Sequence, residues 1–373
     1  MASDSKALRV WVHEPLTKEV RRALARLARL DDVAVVAVMP DVHLAKAVCV
    51  GAVVATETRL FPDAVGGDIG CGMAAVRFDA SASSLETRAA AAAVLEMLSE
   101  RVPCSRRPAG EATLPEALAS RALSSRSLER KKNSIGRVQF ATLGRGNHFV
   151  EFQTDDEGQL WLMLHSGSRG IGQGIREHHG GGDGSLQSLA ADSAEGRAYY
   201  RDLSWALDYA RLSRRRMVEL IGEGVRERIG LSVSWESFFD CHHNFVRRES
   251  HEGRSLWVHR KGAISAGQGE PGIIPGSMAS PSYHVTGRGN PASLCSSSHG
   301  AGRVMSRTEA RRRVSTRVLL DQMRGVWFDE QIANRLRDEA PEAYKKIGAV
   351  MRAQRDLTRI VRRLRPLLAY KGP

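Results

Sequence analysis

Residues 149–164 leave this chain little choice of local structure. Two runs with strand character, 149–153 and 160–164, flank the turn Asp155-Asp156-Glu157-Gly158, which is the pattern of a β-hairpin. His148 precedes the first run and His165 follows the second, equidistant from the centre of the turn. An antiparallel pairing with that register sets the two imidazoles opposite each other at the open end, where they suit a shared divalent metal. A second hairpin is expected over 245–249 and 256–260, turning near 250–253. Its open end carries His242 and His243 on one strand, and Arg260 and Lys261 on the other. Cations beside metal ligands point to an anionic substrate such as a phosphate.

Two further pieces carry chemistry. Asp68-Ile69-Gly70-Cys71 sits in a glycine-rich turn, and its i, i+3 spacing lets a carboxylate and a thiolate converge on one centre. With His148, His165 and His243 this makes five candidate ligands, enough for one ion or for two that share ligands. Ligand softness alone points to zinc. The run from Ser296 to Arg307 is a small-residue loop leading into a helix at Ser306, where Ser306 and Glu309 fit a capping box. Exposed amides and a helix N-terminus would cradle an anion there, and Arg303 and Arg307 add charge. His299 stands in that cradle, placed to attack a phosphoryl group or to shuttle protons. His178 and His179, beside a Gly-Gly-Gly-Asp-Gly stretch, are read as bystanders.

Around these pieces the chain alternates strands and helices. A helix is expected over 16–30 and a buried strand over 33–39 that ends at Pro40-Asp41-Val42-His43. A second apolar run covers 48–55 and a strand 73–78. Residues 83–101 and 195–229 read as helical, 102–135 as a mobile basic surface excursion, and 261–303 as loops and short strands. Residues 340–366 read as a basic helical region. No repeat and no clean linker divides the chain. The expectation is one large mixed α/β (α+β) domain over 1–373, with hairpins around a metal centre and helices at the periphery.

A net charge of +13 attracts polyanions. Six Trp, six Tyr and nine Phe in 373 residues do not suggest an aromatic stacking platform. Five widely spaced cysteines without a CxxC argue against a disulfide framework. No run of apolar residues is long enough for a membrane span, and the first residues lack a signal-peptide core, so a cytoplasmic protein is expected. On the residues alone, a metal-dependent phosphodiesterase or cyclic phosphatase acting on RNA ends, a catalytically silent RNA-binding protein, and a generic anion-binding scaffold stay open beside an RNA-joining enzyme.

An ordered series of motifs resembles the RtcB family of RNA-splicing ligases. It comprises MPDVHL (39–44), GDIGCGM (67–73), GNHFVE (146–151), HSGSRG (165–170), CHHN (241–244), VHRKGA (258–263), IPGSM (274–278), SHGAGR (298–303) and the terminal Lys371-Gly372. The resemblance implies an RtcB-like fold around a dinuclear centre, with Asp68, Cys71, His148, His165 and His243 binding two manganese ions bridged by the thiolate. It implies that His299 takes GMP from GTP. Asn147, Glu151, Ser277, Ser282 and Lys371 would hold the guanylate, with Pro275, Gly276, Met278, Gly300, Ala301 and Gly302 around it. Arg169, Arg303 and Arg307 would bind RNA phosphates. The implied substrates are broken RNA ends, from tRNA halves or damaged RNA, handled by a monomer with or without an archease-like activator. Ala45-Lys46-Ala47, Gly66-Gly67 and Arg145 depart from the family pattern, which often has Gly-Lys-Gly, a Val beside the Asp, and a glycine there.

Overall fold

The computed structural model describes residues 8–45, 47–180 and 186–372. Lys46 of the Ala45-Lys46-Ala47 departure, most of the glycine-rich stretch after His179, and Pro373 lie outside the described residues. The chain opens with β1 (Leu8–Val10), α1 (Lys18–Ala28), β2 (Val33–His43), β3 (Val50–Thr56), β4 (Arg59–Leu60), β5 (Gly72–Ser81) and α2 (Arg88–Arg101). Three short helices follow, α3 (Glu116–Ala119), α4 (Arg126–Lys131) and α5 (Arg137–Gln139). Next come β6 (Phe149–Asp155), β7 (Gln159–Ser166), α6 (Arg169–His179), β8 (Leu189–Ala190) and α7 (Ala194–Ile229). The remaining strands are β9 (Val233–His242), β10 (Asn244–His251), β11 (Arg254–Lys261), β12 (Ala263–Ser265), β13 (Pro271–Ile274), β14 (Ser282–Gly287), β15 (Ser296–Ser298) and β16 (Thr358–Lys371). Between β15 and β16 lie α8 (Arg307–Arg313), α9 (Thr316–Gln322), α10 (Ala333–Leu336) and α11 (Ile347–Ala353).

The fold is mixed α/β, organised on two large sheets. One has the strand order β1-β2-β3-β11-β10 and the other β13-β14-β16-β6-β7-β5-β9. Only β1 and β2 pair in parallel within these two; their other neighbours are antiparallel. The single residue His243 separates β9 from β10, so the chain passes from one sheet to the other at that histidine. The long helix α7 begins at Ser193, whose side chain accepts from the Gly196 N–H, and ends at Gly230 with φ 74°. It buries Tyr199, Trp205, Tyr209 and Met217 among the side chains of β5, β6 and β7. The stretch 102–135 contributes Leu118, Leu123 and Leu128 to that same core.

Two expectations need correction. The basic stretch 340–366 is not a helical region: α11 ends at Ala353, and from Thr358 the chain is the 14-residue strand β16 between β14 and β6. Pro366 within it is accommodated where the pairing with β6 shifts register, between Pro366 and Leu368. The β6–β7 hairpin forms as expected but one residue out of register, since Phe149 rather than His148 lies opposite His165. A one-residue slip inside a strand turns every side chain to the other face. His148 lies just before β6, where that alternation does not bind it, so its ring still meets His165.

Candidate active site

The ligand turn is built by backbone geometry. The Cys71 N–H donates to the Asp68 carbonyl (3.0 Å), the Gly70 N–H to the Asn244 carbonyl (2.8 Å), and Gly70 has φ 71°. A side chain at Gly70 would also strike α7, with its Cβ 2.9 Å from Ala210 Cβ. Gly72 then pairs with both Ser166 and His242, which brings Cys71 beside His165 and His243 at the junction of the sheets. Arg214, fully buried on α7, donates through Nη1 to the carbonyls of Gly70 and Ser166, 2.8 Å each. Its fork is held by Asp240 at 2.6 and 2.7 Å. It therefore ties the turn of one ligand to the strand end of another.

The donors converge. Cys71 Sγ lies 3.5 Å from His148 Nε2 and 3.2 Å from His165 Nε2. Asp68 Oδ2 lies 2.9 Å from His148 Nε2, and the Nε2 atoms of His165 and His243 are 3.3 Å apart. His165 Nδ1 donates to the Asn147 carbonyl (2.9 Å), which leaves the Nε2 lone pair aimed at the thiol and at His243. Burial and neighbouring imidazoles lower the pKa of both His165 and His243, so they are held neutral, the form that ligates metal. Burial works to raise Asp68, but His148, Cys71 and Arg169 outweigh it and hold the carboxyl at about 2. Burial and Asp68 push the Cys71 thiol up, so a cation is what would make it a thiolate. Asp68 Oδ1 and His243 Nδ1 are buried without a hydrogen-bond partner. Three of the donors, on Cys71, His148 and His165, meet the spacing of a metal site among the described residues. The donor set fits a divalent cation.

His299 stands beside this cluster, its ring 4.7 Å from that of His243. Its Nδ1–H donates to Asp41 Oδ2 at 2.6 Å, and its backbone N–H reaches the same oxygen at 3.1 Å. In the neutral ring this pairing leaves the Nε2 lone pair free to act as a nucleophile. Asp41 is fully buried on β2. Gly302 packs directly on its backbone, with a Cβ there coming 2.3 Å from the Asp41 carbonyl oxygen, while Lys345 donates to the flanking carbonyls of Pro40 and Val42. The approach to His299 differs from the expected loop. Ser296, Ser297 and Ser298 are buried in β15, paired with β12, so they are not an exposed anion cradle. α8 starts only at Arg307, which lines the same cavity as His299. Half of the expected capping box forms: Ser306 Oγ accepts from the Glu309 N–H at 3.1 Å, while the Glu309 carboxylate pairs with Arg313 at 3.0 Å.

A cavity of about 380 Å³ opens in front of His299. Asp68, Cys71, His165 and His243 form one end of its lining. The remaining lining includes Asn147, Glu151, Pro275, Gly276, Ser277, Met278, Ser282, Gly300, Ala301, Gly302 and Lys371. The Gly276 N–H donates to Ser282 Oγ (3.3 Å), Ser277 and Ser280 share a hydrogen bond (2.7 Å), and the Ala301 N–H donates to the Pro275 carbonyl (3.0 Å). Burial pushes the Glu151 carboxyl up to about 8, against the hydrogen bond from Gln153 and the charge of Lys371. Lys371 itself is paired with Glu339 at 2.8 Å, both buried.

The arginines divide. Arg307 lines the cavity and pairs with Asp338 (3.2 Å) and Glu339 (3.1 Å). Arg303 lines it too, held by Glu339, the Tyr344 hydroxyl and the Asp338 carbonyl. Arg169, with φ 58°, is outside the lining and lies behind the cluster, Nη1 3.5 Å from His148 Nδ1. Of the two cations at the base of the second hairpin, Lys261 faces the cavity, its pKa lowered by burial to about 8. Arg260 points the other way and is spent on Glu249 (2.6 Å) and Ser296 (2.9 Å). Successive strand residues face opposite sides, so the two neighbours cannot share one role. His179 is bound to the buried Asp202 at 2.8 Å, away from the cavity. Sequence reasoning assigned no role to Asp41, Arg214 or Glu339. Only Asp41 had a signal, inside the quoted motif at 39–44.

A family model described as tRNA-splicing ligase RtcB matches residues 23–372. Over 409 aligned residues the chain is 36% identical to the RNA-splicing ligase RtcB of Escherichia coli K12, covering 100% of this chain and 99% of that protein. It is 30% identical to the RNA-splicing ligase RtcB of Mycobacterium tuberculosis, covering 90% and 96% of the two chains. It is also 30% identical to the tRNA-splicing ligase RtcB of Archaeoglobus fulgidus, covering 72% and 65%. No helix among the described residues is long and apolar enough to cross a membrane. Fold, donor cluster and sequence similarity over the full length agree: this chain belongs to the RtcB family of RNA-splicing ligases.

Proposed function

We propose that the protein is a GTP- and manganese-dependent RNA ligase that joins a 2′,3′-cyclic phosphate or 3′-phosphate end to a 5′-hydroxyl end through GMP carried on His299. The observation that carries this reading is the Asp41–His299 pair at 2.6 Å, which leaves His299 Nε2 free beside the donor cluster. The named relatives, RNA-splicing ligases over nearly their whole length, support it. Asp68, Cys71, His148, His165 and His243 are the residues that would hold two manganese ions, whose charge would stabilise phosphoryl oxygens in the transition state.

The chain's own residues account for the rest. Asp41 fixes the His299 tautomer and stabilises the charge that the ring gains on attack. Nε2 attacks the α-phosphorus of GTP, and the N–P bond forms as the bond to pyrophosphate breaks. An oxygen of the RNA 3′-phosphate then attacks the same phosphorus. The N–P bond breaks, and GMP is left joined to the RNA end through a pyrophosphate linkage. The 5′-hydroxyl of the second end attacks the RNA phosphorus, gives up its proton and expels GMP. A cyclic end is first opened by water to the 3′-phosphate. Glu151 and Lys371 recognise the guanine edge, Asn147, Ser277 and Ser282 hold the nucleotide, and Lys261, Arg303 and Arg307 face its phosphates or those of the RNA. Arg169 braces His148 and adds positive charge behind it. The substrate is broken RNA in the cytoplasm, met by a single copy of this chain, with or without an archease-like activator.

The test is labelling with GTP carrying a labelled α-phosphate, in manganese, beside His299→Ala. An acid-labile label on the wild type and none on the variant is expected. A folded, metal-loaded wild type that takes no label while still hydrolysing RNA cyclic ends would overturn the ligase reading in favour of a phosphodiesterase.

A further inference from the structure

A second cleft, of about 520 Å³, adjoins the catalytic cavity and shares Arg307 and Glu339 with it. Its walls carry Arg145, Arg307, Arg311 and Arg335. These arginines come from three separate parts of the chain: the loop before β6, α8 and α10. All four are exposed. The only acids lining the cleft are Asp338 and Glu339, both buried. Asp338 binds Arg307 at 3.2 Å and Arg311 at 3.3 Å, and Glu339 is already shared by Lys371, Arg303 and Arg307. Arg145 and Arg335 form no ion pair among the described residues; Arg145 reaches only Ser105 Oγ at 3.2 Å.

Four arginines line one concave surface above two carboxylates. Those carboxylates pair with Arg307 and Arg311, which leaves Arg145 and Arg335 without an ionic partner among the described residues. Guanidinium forks suit phosphate oxygens in a bidentate way. Asp338 fixes Arg307 and Arg311, so those two are held in place before any ligand arrives. Gly146 allows the close packing: a Cβ there would lie 2.9 Å from Arg307 Nη2.

We infer that the Arg145–Arg311–Arg335 cleft binds phosphodiester groups of the RNA strand behind its reacting end, extending the catalytic cavity by a subsite that guides the RNA towards His299. This rests on the ligase reading above. The subsite is non-specific for sequence, because its contacts are to backbone phosphates and its lining holds no aromatic side chain for a base to stack on.

The test is the double variant Arg145→Ala with Arg335→Ala, assayed in two ways. The first is GMP labelling of His299, which uses no RNA. The second is binding of two short single-stranded RNAs, one with a 3′-phosphate and one with a 5′-hydroxyl, at several salt concentrations. Both residues are exposed, so folding is expected to survive. Labelling within twofold of wild type is expected, with affinity for at least one RNA about tenfold weaker and the salt slope shallower by about 0.7 for each lost contact. Unchanged affinity and slope for both RNAs would overturn the subsite and leave the ligase reading standing. Loss of labelling in the double variant would also overturn it, by making the cleft structural. A wild type that takes no label would instead strike at the ligase reading itself.

Discussion

At the donor end of the cavity, Asp68 is held at about 2 by His148, Cys71 and Arg169 in spite of burial, whereas in the rest of the lining Glu151 is pushed by burial up to about 8. Glu151 is buried and Asp68 half-buried, with one oxygen enclosed, and they differ above all in the company they keep. Asp68 sits among donors with a partnerless oxygen of its own, so its end of the cavity is a set of ligands waiting for positive charge. Glu151 has Gln153 at 2.5 Å and the more distant charge of Lys371, which Glu339 has already claimed. One end needs a cation to be complete. The other keeps its carboxyl protonated until something arrives that rewards its charge, and the guanine edge of the proposed nucleotide is such a group. Burial alone does not set the state of a buried acid; the neighbouring charge does.

The largest expected effect probes a third carboxylate, one that acts through a neighbour. Asp41→Asn keeps the size of the side chain but offers Nδ1 an amide, which no longer selects the tautomer with Nε2 free. The rate of GMP labelling is expected to fall about 10³- to 10⁴-fold by analogy with the same exchange behind other catalytic histidines. Metal content should be unchanged, because Asp41 touches no proposed ligand. Equal labelling rates in the two proteins would show that His299 does not depend on Asp41 for its orientation.

The next prediction turns the raised carboxyl into a measurement. Unfolded, Glu151 titrates near 4.5, and folded near 8. Between those values the folded state holds a proton that the unfolded state has lost. Stability therefore falls as pH rises from about 4.5 to about 8 and levels off above, by an amount of a few kcal/mol. Glu151→Gln removes that slope. Nucleotide-free variant and wild type should melt alike near pH 4.5, and the variant should melt higher at pH 8. The same variant should bind guanine nucleotide more weakly at pH 8. Parallel melting curves across this window would mean that Glu151 is charged in the free protein, and the contrast with Asp68 would collapse.

How far these features were legible in the sequence follows from the range of the interactions behind them. The β6–β7 and β10–β11 hairpins were readable because each is specified by strand runs around one short turn. The exact pairing of His148 was not, because it depends on where the strand begins. β16 misled because Arg359, Arg362, Arg363 and Arg365 interrupt its apolar residues, and because Pro366 is tolerated only by a shift in pairing with a strand some 200 residues away. The ligand types announced themselves by chemistry. The groups behind them, Arg214 from α7 that ties the ligand turn and Glu339 ahead of β16 that holds the cavity's cations, look like any other charge on a helix until the fold buries them. Arg260 and Lys261 show the same limit in miniature: adjacent cations, of which the strand's alternation turns one to the cavity and the other to Glu249.

The smallest expected effect asks whether the arginine-bearing wall is held as rigidly as the donor end. Arg307 and Arg311 sit on α8, whose seven residues are too few to be stable as an isolated helix. What holds it includes the Ser306 cap, the burial of Ala310, and the ion pairs to Asp338 and Glu339. Ser306→Ala removes the acceptor for the Glu309 N–H and is expected to cost about 1 kcal/mol. If the wall unfolds only with the rest of the protein, that loss shows as a small drop in melting temperature with no change in RNA affinity. If α8 frays on its own, melting temperature stays put while RNA binding weakens by up to a few fold, because the forks of Arg307 and Arg311 lose their fixed placement. Amide exchange at Glu309 and Ala310 separates the two. Protection that falls there and nowhere else would mark this wall as the softer of the two, as expected of a surface braced by side-chain ion pairs rather than by the strand pairing that sets Cys71 beside His165 and His243.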